Sequence, residues 1–163
     1  MPLNQVKTKS MSRIALLAIA VAAVSLAADK PNFSGSWKID LTQSDFGGTP
    51  APDSFARKIE HNEPSLILTD EQTSALGPER AVRKYTTDGK ETIYQWMGSE
   101  VKSAAHWEGN TLVIIGKIDA QGTEVIVTGT LTLSADGKTL TELDKILAGG
   151  SEVAAFKIVL VKQ

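Results

Sequence analysis

From Phe33 onward the chain alternates apolar and polar residues in short runs broken by turn-forming residues. Phe33–Leu41 sets Trp37, Ile39 and Leu41 against Ser36, Lys38 and Asp40, the two-residue period of a strand with one buried face. The same reading predicts strands over Phe55–Asn62, Ser65–Thr73, Glu79–Thr87, Glu91–Met97, Val101–Trp107, Thr111–Lys117, Thr123–Leu133, Lys138–Leu147 and Ser151–Lys162. Between them lie Glu63-Pro64, Ala75–Pro78, Asp88-Gly89, Gly109-Asn110, Ala120–Gly122, Asp136-Gly137 and Gly149-Gly150, each a turn signal. Asp88-Gly89 is the strongest, because a type I′ turn needs left-handed conformations that Asp and Gly tolerate; it predicts a hairpin between its flanking strands. Thr42–Ser54 holds Gly47-Gly48, Pro50 and Pro52 and so cannot be one regular element; a short helical turn is expected near Ser44–Phe46.

About ten strands joined in sequence by tight turns form a meander. The expected fold is all-β: an antiparallel up-and-down β-barrel of about 8–10 strands, since closure removes exposed edges. An open curved sheet or a sandwich is the alternative. The hairpins TTDGKETI, HWEGNTLV and SADGKTLT look alike, but their uneven spacing speaks for shared turn chemistry rather than a repeat array.

The first 27 residues break the pattern. Lys7, Lys9 and Arg13 precede the uncharged run Ile14–Val24, and Ser25-Leu26-Ala27 offers small residues where a signal peptidase reads. This predicts a helical signal peptide over residues 1–27, a single domain over 28–163, and a periplasmic or extracellular location. The apolar run is about half of what spans a bilayer, so no stable membrane span is expected after cleavage. The formal charge is −2, and losing three cationic residues makes the remainder more acidic. No basic cluster follows the signal, which argues against a nucleic-acid partner. The absence of cysteine excludes disulfides, thiolate metal sites, cysteine nucleophiles and an N-terminal lipid anchor.

Phe33-x-Gly35-x-Trp37-Lys38 resembles the first strand of the calycin superfamily, the lipocalins and intracellular fatty-acid-binding proteins. The wider string PNFSGSWKIDLTQSDFG resembles the opening of exported bacterial lipocalin-like proteins. The resemblance implies a lipocalin-like barrel in which Gly35 and Trp37 form the closed base, with a basic residue of the last strand lying across the indole. Lys157 and Lys162 both qualify. The chain departs from fatty-acid-binding proteins twice. Thr42–Ser54 is too short for their helix pair, and Phe156–Lys162 lacks the Arg-x-Tyr pair that grips a ligand carboxylate there.

Residues for catalysis are hard to find. His61 and His106 stand alone among polar strand residues, without metal-ligand spacing, and read as solvated surface histidines. No Gly-x-Ser-x-Gly elbow, phosphate-binding loop or calcium loop occurs, so neither a catalytic motif, a metal nor a cofactor is assigned. Asp70 and Glu71 are sequence neighbours and face opposite sides of a strand. The aromatic group is more suggestive. Arg83 and Tyr85 share one face, Tyr94 and Trp96 another, and pairing across Asp88-Gly89 would gather them into one patch. These four are the candidate ligand-binding residues: aromatic walls with one guanidinium.

Three functions follow. A carrier or sensor of a hydrophobic small molecule predicts an inner cavity lined by alternate residues including Leu66, Leu68, Val125 and Val127. A cell-envelope interaction or structural module, or an inhibitor of a secreted enzyme, predicts a filled interior and an envelope protein partner bound through Thr42–Ser54. An enzyme predicts convergent polar groups in a cleft.

Overall fold

The computed structural model describes residues 30–96 and 98–163; the signal peptide expected over residues 1–27 lies outside them. Among the described residues there are ten strands and no helix: β1 (Gly35–Ile39), β2 (Ser54–Asn62), β3 (Ser65–Ser74), β4 (Gly77–Thr86), β5 (Asp88–Trp96), β6 (Ser99–Glu108), β7 (Thr111–Ala120), β8 (Thr123–Leu133), β9 (Thr139–Ala148) and β10 (Ser151–Lys162). They form one antiparallel up-and-down sheet in the order β4-β3-β2-β1-β10-β9-β8-β7-β6-β5. Short β1 closes the circle between the two halves of the chain, with Trp37 opposite Lys162 on β10 and Arg57 on β2. The all-β, ten-stranded, nearly closed barrel is the one the alternation predicts.

The barrel is not laced all round. β4 and β5 are the two ends of the sheet and share no ladder. The hairpin expected across Asp88-Gly89 therefore reverses the chain, with Gly89 at φ +81°, without zipping its strands. The cause lies in the neighbouring turn. The Thr87 N–H donates to the Pro64 carbonyl at 2.8 Å and its hydroxyl bonds Glu63, so the turn is tied to the β2–β3 corner. β5 spends its ladder on β6, with a bulge between Asp88 and Glu91. Tyr85 and Tyr94 bridge the open seam edge to face, their centroids 5.9 Å apart.

The helical turn expected near Ser44–Phe46 is also absent. Asp45 instead makes an isolated antiparallel bridge to Lys157, its N–H donating at 2.7 Å and its carbonyl accepting at 2.8 Å. This pins the 40–53 loop across β10. Gly47 sits there at φ +58°, and a Cβ would lie 2.4 Å from the Ala155 carbonyl oxygen, so only glycine fits.

One end of the barrel is packed solid. Phe33, Trp37, Leu66, Leu68, Leu112, Leu131, Leu140 and Leu160 are essentially fully buried there. Each such side chain stabilises by about 1.5–3 kcal/mol through removal from water. The Trp37 indole N–H donates to the Phe33 carbonyl at 3.0 Å. Lys162, rather than Lys157, lies over that indole, with Nζ 5.3 Å from the ring centroid. Gly35, at φ +140°, leaves room for the Lys162 stem, which would stand 2.9 Å from a Cβ.

His61 is not on the surface. It occupies the inward register of β2, stacked on Phe33 at 5.6 Å, and its Nδ1 accepts the Phe33 N–H at 3.2 Å. Nε2 therefore carries the proton and donates to Glu63 at 3.0 Å. Glu63 also accepts from the Trp107 indole at 2.8 Å. Stacked Phe33 and Trp107 complete this layer, with Lys30 above the Trp107 ring.

Candidate functional site

At the other end the inward positions enclose a cavity of about 490 Å³, a volume suited to a small organic ligand. The same strands that fill the base line this cavity one or two inward steps further along. β2 contributes Phe55 and Arg57, β3 Asp70 and Gln72, β9 Glu142, Asp144 and Ile146, β10 Phe156 and Ile158. The 40–53 loop folds Phe46, Thr49, Pro50 and Pro52 over the mouth.

The candidate residues separate. Arg83, Tyr94 and Trp96 line the cavity, with Trp96 partly exposed. Tyr85 instead belongs to the buried core beneath it, where burial pushes its phenol well above the ordinary range. Val127 lines the cavity, whereas Leu66 and Leu68, expected beside it, are part of the packed base.

The most distinctive feature is a buried ionic network in the cavity wall. Arg57, 2% exposed, donates from Nε to Asp70 at 2.6 Å, from Nη2 to the other Asp70 oxygen at 3.0 Å, and from Nη1 to Glu142 at 2.6 Å. The bidentate fork satisfies the planar geometry that guanidinium and carboxylate share. Arg83 reaches the same Asp70 from β4. Asp70 thereby joins the consecutive strands β2, β3 and β4, and Glu142 ties distant β9 to them through Arg57. Burial alone would raise the Asp70 carboxyl, but Arg57 and then Arg83 outweigh it and hold the group below its ordinary value. Burial likewise opposes the Arg57 charge, and Glu142 and Asp70 reverse that, leaving it firmly cationic.

Two polar groups of the cavity are left over. Arg83 Nε is buried with no hydrogen-bond partner. Asp144, two positions along β9 from Glu142, has no ion-pair partner among the described residues. Burial first, and the Glu142 carboxylate second, push its carboxyl up to about 8. It is thus mostly protonated at neutral pH. Opposite it on β8 stands Gly129, and a Cβ there would come within 2.7 Å of Asp144 Oδ1. The glycine is the space in which the carboxyl rests.

Arg57, Asp70, Glu142 and Asp144 were not singled out from the sequence, although a signal was present. Arg57 shares parity with Phe55 and Ile59, Asp70 with Leu66 and Leu68, and Glu142 with Leu140. A charge on the apolar face of a strand is costly to bury alone and so points to a partner.

No protein-family model matches this chain. No curated protein matches it either. Solved structures do. Human cRBP IV superposes with a TM-score of 0.57 at 17% identity, covering 82% of this chain and 99% of that one. A zebrafish ileal bile acid-binding protein complexed with cholic acid gives 0.53 at 18% identity, covering 80% and 98%. An abundant heat soluble (SAHS) protein from Ramazzottius varieornatus gives 0.57 at 12% identity, covering 80% and 94%. At such identities the likeness speaks for architecture, and with the ten-stranded meander it establishes a lipocalin-like, calycin-type barrel.

Proposed function

We propose that this protein is an exported carrier or sensor of a hydrophobic small molecule, held in the cavity between the ionic network and the 40–53 loop. The observation that carries the reading is the cavity itself: about 490 Å³ left open in a barrel whose other end is packed solid. Its lining suits an amphiphile. Phe46, Phe55, Tyr94, Trp96, Phe156 and several branched aliphatic residues would take the apolar body. The unpartnered Arg83 Nε leaves one hydrogen-bond donor in the cavity wall, beside the carboxyl group of Asp144 that has no ion-pair partner among the described residues. A structural neighbour, the zebrafish protein, is complexed with cholic acid, a ligand of this general kind. Export rests on the charged, then apolar, then small-residue pattern of residues 1–27. The competing reading, an envelope module without a ligand cavity, needs a filled interior, and its suspected docking loop instead contributes to the cavity wall.

Native mass spectrometry of the protein purified from its own host tests the proposal. A small mass released on denaturation is the expected result. A bare protein mass, unchanged after incubation with lipid and aromatic extracts, would refute the carrier reading. Arg83 and Trp96 are the residues to replace first, and the double substitution should weaken binding at least tenfold while the barrel stays folded.

A further inference from the structure

Carboxyl groups outnumber guanidinium groups inside the cavity. Arg57 and Arg83 supply two cations, while Asp70, Glu142 and Asp144 supply three carboxyl groups, and Glu79 adds a fourth at the exposed rim. Both guanidinium groups are already committed, Arg57 to Asp70 and Glu142 and Arg83 to Asp70. The excess group is Asp144, which lines the cavity. Every neighbour of Asp144 agrees with this count. On its own strand Glu142 is held by Arg57, Gly129 on β8 and Phe156 on β10 stand directly opposite without charge, and Arg57 and Arg83 across the cavity are paired with Asp70 and Glu142.

An incoming carboxylate would find one N–H at Arg83 beside the Glu142 carboxyl group, with both cavity guanidinium groups already committed to Asp70 and Glu142. An incoming ammonium would find an unpaired carboxyl in a low-dielectric site with aromatic side chains in the surrounding wall, where cation–π contact adds to the attraction. We infer that the head group this cavity takes is cationic: a protonated amine on a hydrophobic body, seated against Asp144 within the aromatic wall that includes Tyr94, Trp96 and Phe156. The inference rests on the carrier reading and names its ligand class. At neutral pH the ammonium enters with its proton, and Asp144 gives up its own to solvent, so close to one proton leaves for each amine bound. The pair is then a carboxylate and an ammonium, and the cavity core, neutral before binding while Asp144 holds its proton, stays neutral.

The test uses three probes of equal chain length, dodecylamine, dodecanoate and dodecanol, displacing the uncharged fluorophore N-phenyl-1-naphthylamine from the full chain. Dodecylamine is expected to bind at least tenfold more tightly than dodecanoate, and Asp144→Asn should bring it down to the level of dodecanol. Calorimetry of the unmodified protein in buffers of different ionisation enthalpy should show proton release with dodecylamine and none with dodecanol, a readout independent of whether the variant folds. Equal or tighter binding of dodecanoate, unchanged amine affinity in Asp144→Asn, or no proton release would each overturn the inference. Dodecanol binding as well as dodecylamine sinks the head-group assignment while leaving the carrier reading intact. Failure of the fluorophore and all three probes to bind brings down both.

Discussion

Along β2 the inward positions run Phe55, Arg57, Ile59, His61, and along β9 they run Leu140, Glu142, Asp144, Ile146. At the base these strands meet as Ile59, Leu140 and their neighbours around Trp37, dry and filled. One or two steps away they meet as Arg57, Glu142 and Asp144 around an open space. The two halves have the same backbone and the same alternation, and differ only in what stands on the inner face. The base obtains stability from non-directional burial, which tolerates many sequences. The cavity half keeps its shape through directional contacts among charged groups, and a buried ion network of this kind adds specificity more readily than net stability. Stability and selectivity are thus assigned to opposite ends of one barrel.

The largest test of that division is Trp37→Ala, expected to cost about 3–5 kcal/mol in urea unfolding because it leaves a void in the base. The folded fraction should still take up fluorophore with unchanged affinity; a loss of affinity would show that the halves are not independent. Arg57→Met should cost about as much, 3–5 kcal/mol, by stranding the buried Glu142 carboxylate and leaving Asp70 to Arg83 alone. Here the loss should shrink in acid. In the native protein Asp70 is held below its ordinary value, so its stabilisation is present above pH 4 and vanishes as pH falls through its lowered value. Adding Glu142→Gln to Arg57→Met should recover part of the loss at neutral pH, since Asp70 keeps Arg83.

Asp144 gives a smaller effect of opposite sign. Its carboxyl is raised from 3.8 to about 8, so the folded state holds a proton that the unfolded chain releases across that interval. Stability from this group therefore falls as pH rises from about 4 to 8 and is level above. Asp144→Asn removes the slope, and by pH 9 the variant should be more stable than the parent by an amount on the order of a few kcal/mol. Parallel urea midpoints at pH 5 and pH 9 check this; an unchanged difference between the two pH values would show the carboxyl to be ionised throughout. Least of all, Gly129→Ala should cost about 1 kcal/mol, since its Cβ meets the movable end of Asp144, and should lower amine affinity by displacing that carboxyl.

The barrel was legible in the sequence because alternation and turn chemistry are local, and ten strands in register leave few ways to close. Trp37 at the base was legible through its resemblance to calycin first strands, but which lysine covers it depended on the register of β1 against β10, which parity does not fix. The site was less accessible. Arg57 lies 85 positions before Glu142, and no local pattern links them. His61 was misread for a related reason: taken as an isolated polar residue it looks solvated, whereas the parity it shares with Phe55 and Ile59 turns it inward. The Asp88-Gly89 signal correctly marked a reversal of the chain, but a turn dictates direction only, and the hydrogen bond from Thr87 to Pro64 decided what its strands would pair with.

That last bond has a consequence for how the molecule breathes. Since β4 and β5 face one another without a ladder, what holds them together involves side chains, among them the contact of Tyr85 with Tyr94 and the Thr86 hydroxyl on the Lys90 carbonyl. Elsewhere the wall is laced by continuous ladders, and opening it means local unfolding. Amide hydrogens along the outer edge of β4 and β5 should exchange with solvent well before those of β7, β8 and β9. Arg83, Tyr94 and Trp96 stand on these two strands, so the part of the wall that lacks a ladder is also a wall of the cavity.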